Sequence, residues 1–138
     1  MQNAGLLAGR ILISIMFLVG GYYQLTGMTG FTRYLTGLGL PSPGVLAWVV
    51  AVFHIVAGLM LLAGFMTRWV ALALAVFVAC TIVLAHKFWA VEAAQFTTQL
   101  NLATKNVAVI GGLLMLAALG PGLHSVDARR GGGGRYRY

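Results

Sequence analysis

The sequence predicts an all-α integral membrane protein, a bundle of four transmembrane helices. Three observations carry this expectation. Hydrophobic residues make up 60% of the 138 and charged residues only 8%. Mean hydropathy is +0.92, well above that of an ordinary soluble domain. Four apolar runs, Gly5–Gln24, Gly44–Gly64, Trp69–Ala85 and about Leu100–Leu119, have the length of roughly 17–25 residues that a helix needs to cross a bilayer. The connections are too short to hold a soluble domain. Residues 1–122 therefore read as one transmembrane domain, and 123–138 as a flexible basic cytoplasmic tail.

The first run contains Arg10, is longer than the apolar stretch of a signal peptide and has no Ala-x-Ala site after it, so it reads as a retained helix. It ends in Tyr22 and Tyr23, which suit the aromatic belt at a membrane interface. In the following segment, Thr26–Pro43, the residues Phe31, Tyr34, Leu35 and Leu38 recur at helical spacing, which predicts a short interfacial helix. Ser42 and Pro43 read as the cap and first residue of the second span. The short break at Phe65–Arg68 predicts an antiparallel hairpin of spans two and three. His86, Lys87, Phe88 and Trp89 read as an interfacial anchor, and Ala90 to about Thr98 as a loop. The fourth span starts within Thr97–Thr104, and Gly120-Pro121-Gly122 stops it. Two small-residue ridges, Ala71, Ala75 and Ala79 on span three and Ala108 with Gly112 on span four, would let helices approach closely in lipid.

The net charge of +7 arises from nine Lys and Arg against Glu92 and Asp127. These cations sit mainly at helix ends, so they read as topology signals and as contacts to anionic lipid rather than to nucleic acid. With an even number of spans both termini share a side. That side carries Arg10, Arg68, Arg129, Arg130, Arg135 and Arg137, and the other Arg33, Lys87 and Lys105. The bias places both termini in the cytoplasm. Arg129, Arg130, Arg135 and Arg137 are the residues expected to meet anionic lipid.

The few polar residues within the spans carry the functional information. His54 falls in mid-membrane. It reads as a neutral imidazole bonded to a neighbouring helix, or as a proton relay, haem ligand or hydrogen bond to quinone. Arg10 is expected to snorkel to the cytoplasmic surface. Gln24, His86, Glu92, Lys105 and Asn106 are expected to gather at the outer mouth, Lys105 beside Glu92, roofed by Trp48, Trp89 and Tyr22 or Tyr23. Such a cluster would take a flat polar ligand such as a quinone head group, although an ordinary interface is enriched in the same residues. No metal site is expected. Cys80 is the single cysteine, and His54, His86 and His124 occupy three depths, which disfavours a bis-histidine haem. No phosphate-binding glycine loop, His-Glu-x-x-His or paired carboxylates occur.

Several segments together resemble the DoxX family of small bacterial four-helix inner-membrane proteins. They are Arg10, the Gly-Tyr-Tyr-Gln of Gly21–Gln24, the stretch Tyr34–Pro41, the stretch Leu62–Arg68, His86–Trp89, Lys105 with Asn106, and Gly120–Gly122 followed by Asp127. The resemblance covers nearly the whole chain, through the order and spacing of these pieces. It implies a bacterial inner-membrane location and a link to quinol oxidase and thiosulfate:quinone chemistry, for which the family is named. Two positions depart from the pattern: family members commonly carry Lys where Gln24 stands and Glu where His54 stands. A neutral Gln and His would form a hydrogen-bonded network without burying ions.

The expected function is therefore an accessory or structural subunit of a respiratory or redox membrane complex, without catalysis of its own, with a quinone-facing outer pocket. The expected associates are lipid and a membrane-protein partner or a second copy. Two alternatives stay open: a quinol-handling oxidoreductase component, and a purely structural or assembly protein packed against a larger complex. A transporter is disfavoured because four short helices without an internal repeat offer little for alternating access. The charge bias has a direct test. A reporter fused after Tyr138 should behave as cytoplasmic; periplasmic reporter activity there would overturn the orientation.

Overall fold

The computed structural model describes residues 2–131. Its order is α1 (Gln2–Thr26), α2 (Met28–Gly37), α3 (Pro43–Ala63), α4 (Thr67–Ala85), a single 3₁₀ turn (Phe88–Ala90), α5 (Ala93–Leu119) and α6 (Val126–Arg130). The long helices α1, α3, α4 and α5 are the four apolar helices of membrane-spanning length, and α2 is the short helix expected after the first span. Together they form an all-α four-helix membrane bundle. Two boundaries differ from expectation. The fourth span begins at Ala93, because the polar residues Gln95, Thr97, Thr98 and Gln99 continue the helix beyond its apolar stretch. The break between α3 and α4 is Gly64–Met66.

The bundle is made of two helix pairs: α1 packs mainly on α3, and α4 mainly on α5. Small residues set the first pair. Ala47, Ala51, Ala57 and Gly58 lie on the buried face of α3. A Cβ at Gly58 would fall 2.9 Å from the Leu18 side chain of α1, and one at Gly21 would fall 2.8 Å from Ile55. This is the close backbone approach that small residues allow in lipid. The sequence expectation had placed such ridges on α4 and α5. Ala71 and Ala75 are buried inside the bundle, but Ala79 and Ala108 are exposed, because those helix faces turn to the surface. Gly112 faces Ile13 of α1, at 3.3 Å from an added Cβ.

These contacts fix an axial stagger. Gly21 of α1 lies beside His54 of α3. His54 is about 16 Å along α3 from Pro43, whereas Gly21 is about 7 Å from Thr26 at the end of α1. The start of α3 therefore projects about 9 Å past α1. Helix α2 packs on that projection and buries Leu35 there. Ser42, expected as the cap of α3, has a left-handed backbone (φ 47°) and makes no capping hydrogen bond through its side chain. Only Pro43, at the first turn, acts as expected.

At the opposite end the start of α1 projects, and the segment after α5 covers it. Arg10 is 2% exposed. It does not snorkel to the surface: Nη1 donates to the Pro121 carbonyl at 2.8 Å and Nη2 to the His124 carbonyl at 2.6 Å. The Leu123 amide donates to Asn3 Oδ1 at 3.0 Å. Gly64 ends α3 with φ 71°, and a Cβ there would strike Arg10 and Ser125, so glycine answers both the left-handed backbone and the crowding. Met66, also left-handed at φ 47°, leaves the first amides of α4 uncapped by any side chain of its own. Asp127 supplies that cap from α6: Met66 N–H donates to Oδ1 at 2.8 Å and Thr67 N–H to Oδ2 at 2.9 Å. A carboxylate here also meets the positive end of the α4 dipole. Arg130 stacks over Phe65 at 5.0 Å.

The expectation of a flexible tail from Leu123 onward is therefore corrected for residues 123–130, which fold beneath the bundle through these bonds. Arg135 and Arg137 lie outside the described residues. The predicted order of losses follows. Arg10→Met strands two carbonyls and should destabilise by about 3 kcal/mol or more, since hydrogen bonds to a charged group are worth about 1.5–3 kcal/mol each. Asp127→Ala removes one cap and should cost about 0.5–2 kcal/mol. Thermal unfolding in detergent micelles measures both, and an unshifted midpoint for Arg10→Met would refute the structural weight given to this knot.

Candidate functional site

Between the two helix pairs, in the half nearer α2, lies a cavity of about 480 Å³. That volume is in the range of small-molecule sites. Its walls come from Met16, Phe17 and Gln24 of α1, Leu46, Val50 and His54 of α3, and Phe77, Val78, Thr81 and Leu84 of α4. Phe31, Tyr34 and Leu35 of α2 close it, His86 follows α4 at its edge, and Asn106 is the contribution of α5. Met16, Cys80 and Leu84 line it while also being exposed on the apolar outer surface of the bundle. The cavity therefore opens sideways, toward hydrocarbon.

Within this apolar space the polar groups come in pairs. His54 is 9% exposed, and its Nδ1 lies 2.9 Å from Gln24 Oε1. The stagger of α1 on α3 makes this possible, because it lowers the end of α1 to the level of His54. Phe17, Phe77 and Phe53 surround the imidazole, with ring centroids at 5.5, 4.9 and 6.3 Å. Among the described residues His54 Nε2 has no hydrogen-bond partner. In a second pair, Asn106 Nδ2 donates to Thr81 Oγ1 at 3.1 Å, and Thr81 in turn donates to the Val78 carbonyl at 2.7 Å. In a third, His86 Nδ1 lies 3.1 Å from Gln99 Oε1. Burial pushes the Tyr34 hydroxyl above its ordinary pKa near 10, so the phenol stays protonated under physiological conditions.

Of the expected outer cluster, Gln24, His86 and Asn106 line this cavity, and His54 joins them. Glu92 and Lys105 do not line it; both are exposed. No ion pair joins them among the described residues. The reason is helical geometry. Asn106 faces inward, and its neighbour Lys105, about 100° round α5, is turned away. Glu92 sits at the residue before α5, outside the bundle. The expected roof of Trp48, Trp89, Tyr22 and Tyr23 is also corrected. All four are exposed, as interface anchors are, and the cover is α2 instead.

Gln99, Thr81 and Phe77 were missed by sequence reasoning. Phe77 and Thr81 lie on one face of a helix at four-residue spacing, which is the signal that would have grouped them. Gln99 gave none, since its position depended on α5 beginning earlier than its apolar stretch. The three histidines are separate: His54 pairs with Gln24, His86 with Gln99, and His124 is exposed at the opposite end, where its carbonyl accepts from Arg10. Among the described residues no group of three His, Cys, Asp or Glu comes together.

Comparison with known proteins places this architecture. The DoxX family model matches residues 5–87. Inner membrane protein YqjF of Escherichia coli (strain K12) is 35% identical over 129 residues, covering 92% of this chain and 92% of the relative. Inner membrane protein YphA of the same organism is 31% identical over 124 residues, covering 90% of this chain and 89% of the relative. No solved structure matches the chain. With four spanning helices and these relatives, the chain belongs to the DoxX family and is a multi-pass inner-membrane protein.

Proposed function

We propose that this protein is an accessory subunit of a respiratory or redox membrane complex, and that it holds a lipid-soluble quinone in the cavity between its helix pairs. The observation that carries the reading is the cavity itself: about 480 Å³, walled mainly by apolar side chains, with the His54–Gln24 pair inside it. A quinone has the matching chemistry, a flat ring with few polar atoms and an apolar tail. The side opening at Met16, Cys80 and Leu84 gives such a molecule a route from the bilayer without crossing water. Among the described residues no Asp or Glu lines the cavity, so the site has no carboxylate to move protons. That favours holding or passing on the molecule over transforming it. The purely structural alternative loses one docking face, because Ala71 and Ala75 are covered within the chain.

Titration of the protein in nanodiscs with decylubiquinone tests this. Wild type should bind saturably. Val50→Trp, which puts an indole into the cavity, should weaken binding by about tenfold or more, a loss of about 1.4 kcal/mol. Lys105→Ala should leave the affinity within about twofold, a change of less than about 0.5 kcal/mol, because Lys105 lies outside. Absence of saturable binding, or binding that Val50→Trp does not weaken, would remove the cavity as the site.

A further inference from the structure

The hydrogen-bond pattern inside the cavity points to a polarity that the shape alone does not fix. Gln24 meets His54 through Oε1, at 2.9 Å from Nδ1. A carbonyl oxygen only accepts, so the imidazole proton sits on Nδ1. A neutral imidazole has one N–H, and Nε2 is then a bare lone pair. This nitrogen is buried and without a partner among the described residues, on a side chain that is 9% exposed and lines the cavity. A buried acceptor left unpaired is costly, and a ligand group that donates to it recovers that cost. A similar contact recurs at the cavity edge, where His86 Nδ1 faces Gln99 Oε1 at 3.1 Å. The third pair uses the amide nitrogen of Asn106 as donor to Thr81, which leaves Asn106 Oδ1 as an acceptor.

We infer that the cavity selects an aromatic hydroxyl, the reduced hydroquinone form of its ligand, which donates its O–H to His54 Nε2. The inference rests on the quinone reading above and adds the redox state to it. A quinone carbonyl offers only lone pairs to a nitrogen that is itself a lone pair, so the oxidised form gains no bond there. Gln24 is the specificity-determining residue: with its Oε1 toward Nδ1, it favours the Nδ1–H tautomer. Nε2 is itself buried, so the ligand hydroxyl reaches it by displacing part of the aromatic packing round the imidazole, in which Phe77, with ring centroids 4.9 Å apart, also lines the cavity.

The test compares duroquinol with duroquinone, kept in their redox states under argon, on the full chain in nanodiscs. Direct titration is one readout. The second is protection of the native thiol of Cys80, at the cavity's side opening, from an apolar maleimide. Duroquinol should bind about tenfold or more tighter than duroquinone, the scale of one well-placed hydrogen bond. In Gln24→Met, which has no amide to hold the tautomer, the preference should fall to about twofold or less or reverse. An unchanged Cys80 labelling rate without ligand verifies that this variant keeps its fold. Nitrogen-15 spectra of histidine-labelled protein give an independent reading, with the His54 signal identified by its loss in His54→Phe. Protonated Nδ1 with bare Nε2 is expected, and a protonated Nε2 would overturn the inference. Equal affinities, or tighter duroquinone, would also overturn it while leaving the cavity as a quinone site. If neither compound binds nor protects Cys80, the quinone reading itself fails and this inference falls with it.

Discussion

The buried guanidinium of Arg10 is the constraint on which the rest of the architecture depends. A charge at 2% exposure inside an apolar bundle is stable only where carbonyls are aimed at it. Those carbonyls, Pro121 and His124, lie in the segment that follows the last span. The chain must therefore turn sharply at Gly120-Pro121-Gly122 and run back under α1 and the α3–α4 hairpin. Asp127 arrives by that path and caps α4, and its negative charge acts on Arg10. One cation and one anion, far apart in sequence, thus fasten the start of α1, the hairpin and the end of α5 at one end of the bundle.

The other end is organised differently. There the pairing of α1 with α3 is set by backbone approach at Gly21 and Gly58, and that approach staggers the two helices. The stagger leaves the start of α3 beyond the end of α1, and α2 folds onto the step. Because α4 packs mainly on α5, the two pairs meet less closely, and the space between them beneath α2 becomes the cavity. Its polar groups are few because each needs a partner to be tolerated at that depth. The His54–Gln24, Thr81–Asn106 and His86–Gln99 pairs satisfy most of them within the chain. Among the described residues His54 Nε2 is left over, a buried acceptor in the cavity wall that only something else can satisfy.

The exchange of ions for neutral groups at these positions fits the same physics. The family resemblance implies Lys and Glu where this chain has Gln24 and His54, and the structure sets these two neutral residues 2.9 Å apart. A neutral pair avoids the desolvation cost of two ions and leaves a directional hydrogen-bond pattern in place of a field.

The sequence by itself determined the class, the number and rough extent of the spans, the short helix after the first, and the family. These rest on hydrophobic length and on local signals such as Pro43 and Gly120–Gly122, which act within a few residues. The tertiary structure decided what each polar residue does. Arg10 looked like a snorkelling cation, Asp127 like part of a tail, and Gln24 like a member of the outer cluster, joined to His54 only through the family resemblance. Each takes its role from a partner 30 or more residues away. Which partner it meets depends on the stagger of α1 on α3, on the facing of α5 and on the fold of the segment after it. None of these is a periodicity in the sequence. They follow from how side chains and backbones fit when the helices pack, and only the packed bundle fixes that.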